Sequence, residues 1–160
     1  MVKITIDGQA LEVEHGLTLL GAAESAGIHI PHFCYHPAFA PEGSCRMCLV
    51  EIEGLPKLEL ACSTLVKEGM KVHTRSPLVA EARKGVLEFL LAEHPLDCPI
   101  CDKAGECMLQ DYFEEYGLFE SQFKEAKEKR EKKFRLSKNL LLDRERCILC
   151  TRCVRFLNEI

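Results

Sequence analysis

The sequence lacks the features that would place this protein in a membrane, outside the cell or on a nucleic acid. No run of about 18 apolar residues occurs in the chain, so no segment is expected to span a bilayer. Near the N-terminus, Asp7 and Gly8 interrupt the apolar residues too early for a secretory signal. A formal net charge of −4 gives no sign of a nucleic-acid partner.

The absence of a secretory signal bears on the ten cysteines of the chain. Cytosolic thiols are kept reduced, so a disulfide scaffold is the less favoured interpretation. Closely spaced C-x2-C pairs also suit metals better than bridges. One alternative stays open: the chain could be exported as a folded metalloprotein by the signal sequence of a partner protein.

What the sequence does contain is three groups of metal-type ligands in series along 160 residues. Thiolates in such runs bind soft metals, above all iron–sulfur clusters and zinc. Small modules held partly by their metal are therefore expected, rather than one large core. The groups are Cys34, Cys45, Cys48 and Cys62; His94, Cys98, Cys101 and Cys107; and Cys147, Cys150 and Cys153.

The first part of the chain predicts two strands and a helix, in the order that begins a β-grasp fold. Residues 2–6 and 11–13 alternate apolar and polar around an Asp7-Gly8 turn. Thr18 can cap a helix that ends at Gly27. Further short strands are predicted at 49–52, 58–66 and 70–74. The fold class is therefore α+β, a β-grasp domain followed by small modules stapled by their clusters.

The middle of the chain predicts a helix that begins at Ser76-Pro77 and stops at Pro95. A short helix is expected from Cys107 to Tyr116. Residues 119–135 alternate Lys and Glu, which favours a solvated helix or linker over a functional basic patch. A short strand at 140–143 would lead into the last cysteines. The apolar face of the long helix is predicted to consist of Val79, Ala82, Val86, Phe89 and Leu90.

The first group has the spacing C-x10-C-x2-C-x13-C, which keeps the C-x2-C step and the distant fourth cysteine of a plant-type 2Fe–2S ferredoxin. Gly43 and Ser44 are small enough to let backbone N–H groups approach the sulfides of a cluster. A four-cysteine zinc site is the competing interpretation. A two-His, two-Cys site using His32 and His36 is disfavoured, because no histidine follows the later cysteines. Those histidines are expected to form hydrogen bonds or lie at the surface.

The second group has the spacing H-x3-C-x2-C-x5-C. Three cysteines account for three irons of a 4Fe–4S cluster, and the imidazole of His94 can serve the fourth. Exchange of a thiolate for a neutral imidazole removes one negative charge, which should raise the reduction potential.

The third group, C-x2-C-x2-C, matches the core of bacterial 4Fe–4S ferredoxins. Leu157 stands where those runs place their fourth cysteine, and no cysteine follows Cys153. We expect the chain to be a fragment or a natural short form. A fourth ligand downstream, a three-iron cluster, an external ligand and an empty site all stay open.

These groups, in this order, resemble the N-terminal iron–sulfur region of the large peripheral-arm subunit of respiratory NADH:quinone oxidoreductase, complex I. The resemblance covers essentially the whole chain, and its most specific part begins at His94. The stretches that carry it are Cys34-Tyr35, Gly43-Ser44-Cys45-Arg46-Met47-Cys48-Leu49-Val50, His94-Pro95-Leu96-Asp97-Cys98-Pro99-Ile100-Cys101-Asp102-Lys103, Gly105-Glu106-Cys107, Asp143-Arg144-Glu145-Arg146-Cys147-Ile148 and Cys153-Val154-Arg155.

The resemblance implies a 2Fe–2S cluster on the first group, a His-ligated 4Fe–4S cluster on the second and a further 4Fe–4S cluster on the third. It implies an oxidoreductase subunit that relays electrons and has no substrate-converting site of its own. Expected partners are an NADH-binding flavoprotein and other peripheral-arm subunits, with no nucleic acid and no membrane insertion. The expected place is peripheral, on the cytoplasmic side of the bacterial inner membrane or the matrix side in mitochondria.

The implied domains are a 2Fe–2S domain at 1–76, a His/Cys 4Fe–4S module at 77–118, a charged linker or helix at 119–139 and a truncated 4Fe–4S module at 140–160. No G-x-G-x-x-G loop occurs, so NADH should bind elsewhere. Two alternatives stay open. One is the diaphorase subunit of an NAD-linked hydrogenase or formate dehydrogenase, and the other is a zinc-stapled interaction module without a redox role.

Overall fold

A computed structural model describes residues 1–118 and 120–159 of the chain. It divides into two compact units, one formed by Met1–Arg83 with Thr151–Ile160 and the other by Lys84–Cys150. The C-terminal residues thus group with the first unit. The four-part division expected from the sequence stays a prediction. Position 119, which opens the predicted charged segment, and position 160 lie outside the described residues.

The first unit contains five strands, β1 Val2–Ile6, β2 Gln9–Val13, β3 Leu49–Ile52, β4 Glu59–Leu60 and β5 Lys71–His73. They form one sheet in the order β2-β1-β5-β3-β4. Strand β1 pairs antiparallel with β2 and parallel with β5, which confirms the predicted β-grasp start. Asp7 and Gly8 turn the chain between the first two strands with φ of 49° and 85°.

Helix α1, Leu19–Ser25, covers one face of this sheet. Thr18 caps it as predicted, because its Oγ1 accepts a hydrogen bond from the Gly21 N–H at 3.1 Å. The alternating residues of β1 that point to this face are fully buried. The core of the unit is built from Val2, Ile4, Ile6, Val13, Leu19, Leu20, Ala22, Ala23, Ile30, Cys48, Val50, Ile52, Ala61, Cys62, Val66 and Val72.

The predicted strand at 58–66 is wrong beyond its first residues, since only Glu59–Leu60 pairs in the sheet. The carbonyl groups that follow serve the start of α1 instead. Ala61 O accepts from Leu20 N at 2.9 Å, and Thr64 O accepts from Leu19 N at 2.8 Å. The apolar pattern of this segment reflects burial against a helix end, not a strand.

Helix α2, Pro77–Glu93, begins as predicted, with the Ser76 hydroxyl accepting from Val79 N at 3.3 Å. Its predicted apolar face is wrong at Phe89, which is 86% exposed. The fully buried positions follow a four-residue spacing, Val79, Arg83 and Leu87. Arg83 can lie in this face because its guanidinium donates to the carbonyl oxygens of Met47 at 3.3 Å and Leu49 at 3.2 Å.

The second unit is mostly irregular. Cys98–Ile100 forms one turn of 3₁₀ helix, and α3 spans Met108–Tyr116, as the sequence predicted. Strand β7, Leu141–Leu142, confirms the short strand predicted at 140–143. It pairs antiparallel with β6, Phe134–Arg135, a strand that the sequence did not predict. No helix is assigned between 120 and 133 in the described part of that segment, so the helix alternative finds no support there, and the linker stays a prediction.

The last helix, α4, spans Arg152–Glu159 and belongs to the first unit. Across the described ranges, no helix combines the length and the apolar character that crossing a bilayer would require.

Arg83 gives a test of the packing around the first group of cysteines. In Arg83→Ala the carbonyls of Met47 and Leu49 lose a charged donor in a buried place, so we expect the free energy of unfolding to fall by about 3 kcal/mol. Anaerobic chemical denaturation followed by circular dichroism measures it. The exposed Arg75→Ala variant is the control. Equal stability of the two variants would contradict the assigned role of Arg83.

Candidate metal centres

The first four cysteines are brought together by the β-grasp sheet. Cys34 and Cys45 lie in the long loop between α1 and β3, while Cys48 directly precedes β3 and Cys62 follows β4. Three of the four are almost fully buried, at 1% or less exposed; Cys45 is half-buried. Because β3 and β4 are paired, Cys48 and Cys62 are held at the same end of this strand pair.

The four sulfurs form two pairs. The Cys34 and Cys45 side chains are hydrogen-bonded to each other, and so are those of Cys48 and Cys62. In the first pair the contact with Cys45 lowers the pKa of Cys34 to about 4, while the pKa of Cys45 is raised by the same contact and by burial. The second pair behaves alike, with the pKa of Cys62 lowered and that of Cys48 raised.

Backbone N–H groups point at these sulfurs. Cys34 N donates to Cys45 Sγ at 3.5 Å, and the N–H groups of Phe33 and Met47 also reach Cys45. Ser44 donates to Cys34 through both its backbone and its side chain, and Gly43 N–H donates to Cys62. Such donors stabilise thiolates and the negative charge of a bound cluster. The backbone N–H groups of Gly43 and Ser44 thus lie against cysteine sulfurs, as the sequence predicted.

Left-handed backbone makes this arrangement possible. Gly43 has φ of 68° and Arg46, inside the C-x2-C step, has φ of 58°. A non-glycine residue in this conformation costs free energy and persists only where the surroundings require it. A turn of this kind places successive N–H groups on one concave side of the chain.

The pairing bears on the choice between an iron–sulfur cluster and zinc. A single zinc ion would draw four sulfurs to about 2.3 Å from one point. Among the described residues, no group of three or more His, Cys, Asp or Glu side chains is arranged to hold one metal ion. Two pairs of sulfurs suit a cluster with two irons, in which each iron takes two protein ligands. The residues present therefore fit a 2Fe–2S cluster.

His32 and His36 take the local roles expected of them. His32 Nδ1 lies 2.9 Å from the carbonyl oxygen of Ile30, and its ring meets Tyr35 edge-on. His36 Nδ1 accepts from Ala38 N at 3.2 Å. Each ring is thus engaged by its own loop.

The second group lines a cavity in the second unit. His94, Cys98, Cys101 and Cys107 all face this cavity, whose volume is about 490 Å³. His94 follows the end of α2, Cys98 opens the 3₁₀ turn and Cys107 is the residue before α3. Four soft ligands around one cavity fit a cluster of several metal atoms.

Two features prepare these ligands for a metal. Burial lowers the pKa of His94 below its usual value, which keeps the imidazole neutral with a free electron pair at neutral pH. Cys107 occupies the N-cap of α3 without any side-chain cap hydrogen bond. The unsatisfied N–H groups and positive dipole end of that helix favour an anionic ligand there.

A charged network that the sequence did not indicate fixes the second group. Lys132 Nζ lies 2.9 Å from carboxylate oxygens of both Asp97 and Glu145. Arg146 Nη2 donates to Asp97 at 2.9 Å and to the Ile100 carbonyl at 3.2 Å. These cations hold the pKa of Asp97 down at about 2. The residues just before Cys98, Cys101 and Cys147 are thereby tied together.

The charged segment also closes over the end of α2. Lys127 Nζ donates to the carbonyl oxygens of Leu91 and Ala92, the latter at 3.0 Å. Glu93 accepts from the backbone N–H of Glu128 at 2.8 Å. Positive charge at a helix C-terminus is favourable. Alternating Lys and Glu thus serve specific contacts here rather than solvation alone.

The third group is the least enclosed. Cys147 and Cys153 are exposed and Cys150 is half-buried. Cys147 and Cys150 belong to the second unit, and Cys153 lies in α4 of the first. Leu149 and Thr151, on either side of Cys150, have left-handed φ of 54° and 60°, the type of turn found in the first loop.

Paired, N–H-bonded cysteines on a β-grasp sheet in one unit, and a cavity lined by one histidine and three cysteines in the other, define an iron–sulfur protein. Residues 1–77 match the family described as 2Fe-2S iron-sulfur cluster binding domain. Residues 83–122 match the family described as NADH-ubiquinone oxidoreductase-G iron-sulfur binding region. A 2Fe–2S and a 4Fe–4S cofactor are thus confirmed as the cofactors of these regions.

Relatives match over the full chain. An NADH-quinone oxidoreductase subunit of Rhizobium meliloti is 54% identical over 100% of this chain and 19% of its own length. The mitochondrial NADH-ubiquinone oxidoreductase 78 kDa subunit of Neurospora crassa is 50% identical over 99% of this chain and 22% of its own. The chain therefore belongs to the family formed by the N-terminal iron–sulfur region of these bacterial NADH-quinone oxidoreductase subunits and their 75–78 kDa counterparts.

A solved structure of an NAD+-reducing [NiFe]-hydrogenase in the H2-reduced state is also similar. Its TM-score is 0.87 at 36% sequence identity, and the match covers 99% of this chain and 67% of that chain. The chain spans about a fifth of the length of the curated relatives named above.

Gly43 gives a test of the N–H contacts at the first centre. In Gly43→Ala the new Cβ meets Leu60 Cδ1 at 3.1 Å and the φ of 68° is strained, so the Gly43 N–H should move off Cys62. We expect faster loss of the 2Fe-type visible absorbance under chelator, by about tenfold for roughly 1.4 kcal/mol.

The matched control for that experiment is Gly54→Ala. Gly54 has φ of 85° but nothing within 4 Å of the new Cβ, and it lies outside the cysteine loops. It carries the same backbone strain without the contact. Equal cluster loss in both alanine variants would show that strain alone, and not the N–H contact to sulfur, governs retention.

Proposed function

We propose that this chain is an electron relay that carries its electrons through iron–sulfur clusters held by three groups of ligands. The first group holds a 2Fe–2S cluster, the second a His-ligated 4Fe–4S cluster, and the third part of a further 4Fe–4S cluster. The proposed ligands are Cys34, Cys45, Cys48 and Cys62; His94, Cys98, Cys101 and Cys107; and Cys147, Cys150 and Cys153.

The observation that carries the proposal is the arrangement of the first four cysteines in two pairs, three of them almost fully buried, with N–H groups aimed at their sulfurs. A structural zinc site needs all four sulfurs at about 2.3 Å from one ion, in a tetrahedron, rather than in two separate pairs. A disulfide scaffold is disfavoured as well, because all ten cysteines are free. The zinc-stapled module therefore lacks support at the first group.

The clusters supply one-electron oxidation and reduction; the chain's own residues supply burial, orientation and electrostatics. Burial of Cys34, Cys48 and Cys62 excludes water from the first centre. N–H donors from Gly43 and Ser44 favour the more negative, reduced state. Neutral His94 lowers the negative charge of the second centre relative to a fourth thiolate.

The family membership supports a specific place in a larger enzyme. The relatives are named NADH-quinone and NADH-ubiquinone oxidoreductase subunits. We propose that an NADH-binding flavoprotein supplies single electrons to this chain, and that other peripheral-arm subunits pass them toward quinone. The chain would then lie on the cytoplasmic side of the bacterial inner membrane, or on the matrix side in mitochondria.

The diaphorase subunit of an NAD-linked hydrogenase or formate dehydrogenase is the second candidate. The NAD+-reducing hydrogenase structure favours it, at 36% identity. The quinone oxidoreductase relatives are 54% and 50% identical, which favours the first candidate. Gentle purification with attached partners separates the two.

Iron and sulfide analysis with EPR tests the proposal. An anaerobic preparation of the chain should hold about six irons for the first two clusters, with more if the third assembles. Dithionite reduction should give one 2Fe-type and at least one 4Fe-type signal. A colourless, well-folded chain that contains zinc would overturn the proposal.

His94 gives a test of imidazole ligation. His94→Cys should keep a 4Fe–4S cluster but lower its reduction potential, because thiolate adds a negative charge. An EPR-monitored redox titration measures the midpoint. His15→Cys, an added thiol at an exposed position, is the control. A titration unchanged in His94→Cys would count against His94 as a ligand.

A further inference from the structure

Two arginines on the last helix bind the loop of the first cysteine group. Arg155 Nη2 donates to the carbonyl oxygen of Cys34, and Arg155 Nη1 donates to that of Ala40 at 2.8 Å. Arg152 Nη2 donates to the Tyr35 carbonyl at 2.6 Å. All these residues belong to the first unit. Two guanidinium groups of helix α4 therefore contact the loop that contains Cys34, a proposed cluster ligand.

Arg155 is a buried cation, and no carboxylate side chain among the described residues pairs with it. The residue is only 8% exposed. In the part of the chain that the structure describes, no acidic side chain forms an ion pair with it, and its Nε has no hydrogen-bond partner. Its other contact is the ring of Phe39, whose centroid lies 5.3 Å from the guanidinium carbon. A buried charge without a counter-charge is costly, so an anion at this place would remove a large penalty.

The first centre supplies such an anion. Two ferric ions, two sulfides and four thiolates carry a net charge of about −2, and one added electron brings it to about −3. The guanidinium of Arg155 touches the backbone of Cys34 itself, so it lies beside this charge. The cation interacts more strongly with the reduced state than with the oxidised state, and this difference favours reduction.

We propose that Arg155 is the counter-charge of the 2Fe–2S cluster and raises its reduction potential, with Arg152 as a positioning residue for the same loop. This inference rests on the ligand assignment of the proposed function. The step it modulates is transfer of one electron, from dithionite in the experiment below, onto a cluster whose ligands stay bound. No proton or bond changes partner.

The hydrogen bonds to backbone carbonyl oxygens suggest a competing, purely structural role, in which Arg155 only holds residues 34–40 in place. The two roles differ in what they do to the potential. A structural tie would change the stability of the loop and leave the midpoint alone. A charge role would move the midpoint in proportion to the charge removed, whatever the stability.

The test is an anaerobic, EPR-monitored redox titration of the reconstituted chain with Arg155→Gln and Arg155→Lys. Loss of the charge in Arg155→Gln should lower the ratio of reduced to oxidised 2Fe–2S cluster at a fixed ambient potential by about tenfold, the Coulomb effect of unit charges about 12 Å apart at an effective dielectric constant of about 20. That equals about 59 mV for a one-electron couple. Arg155→Lys keeps the charge and should stay within about twofold of the parent.

Arg75→Gln, which removes an exposed arginine of the same unit, is the matched control and should leave the ratio unchanged. If Arg155→Gln loses its cluster, citrulline at position 155 removes the charge with almost no change of shape. It can be introduced by ligating a synthetic peptide at Cys153, and the same tenfold fall is expected.

Equal midpoints in the parent and the neutral variant, or an equal fall in Arg155→Lys and Arg155→Gln, would overturn the inference. The proposed function fails separately. Absence of any 2Fe-type signal in the parent chain would defeat the cluster assignment before the arginine variants are compared.

Discussion

The first centre depends on one constraint: backbone N–H groups must face buried sulfurs. Gly43 and Arg46 meet it by left-handed backbone, and Gly43 sends its N–H to Cys62. The β-grasp sheet positions the other cysteines, because the pairing of β3 with β4 brings Cys48 and Cys62 to the same end of the two strands. Sulfur pairs held this way are ready for two irons. Apolar packing against α1 then protects the pairs from water.

In the second centre, less regular structure also holds the candidate ligands close together. The residues proposed as its ligands lie at the ends of helical segments, where backbone groups are unsatisfied and available. Charged contacts take the place of a large core. Lys132 and Arg146 both hold Asp97, next to Cys98, and Lys127 covers the end of α2. Small metal modules commonly need such support, since binding of the metal and folding are coupled.

Much of the fold followed from local sequence signals, whereas the three ligand sets stay a proposal. The alternation in β1, the Thr18 cap and the Pro77 start were predictable because each acts over a few residues. Burial of Arg83 was not, since the carbonyls that satisfy it lie 34 and 36 residues away. The roles of Arg152 and Arg155 were not predictable for the same reason. Their partners are more than a hundred residues distant, and only the assembled unit brings them together.

The central claim is that the four first-group sulfurs serve two irons rather than one metal. An iron anomalous-difference map from anaerobic crystals tests it most directly. The account predicts two neighbouring iron peaks, one held by Cys34 and Cys45 and the other by Cys48 and Cys62. A single metal peak equidistant from all four sulfurs would contradict it.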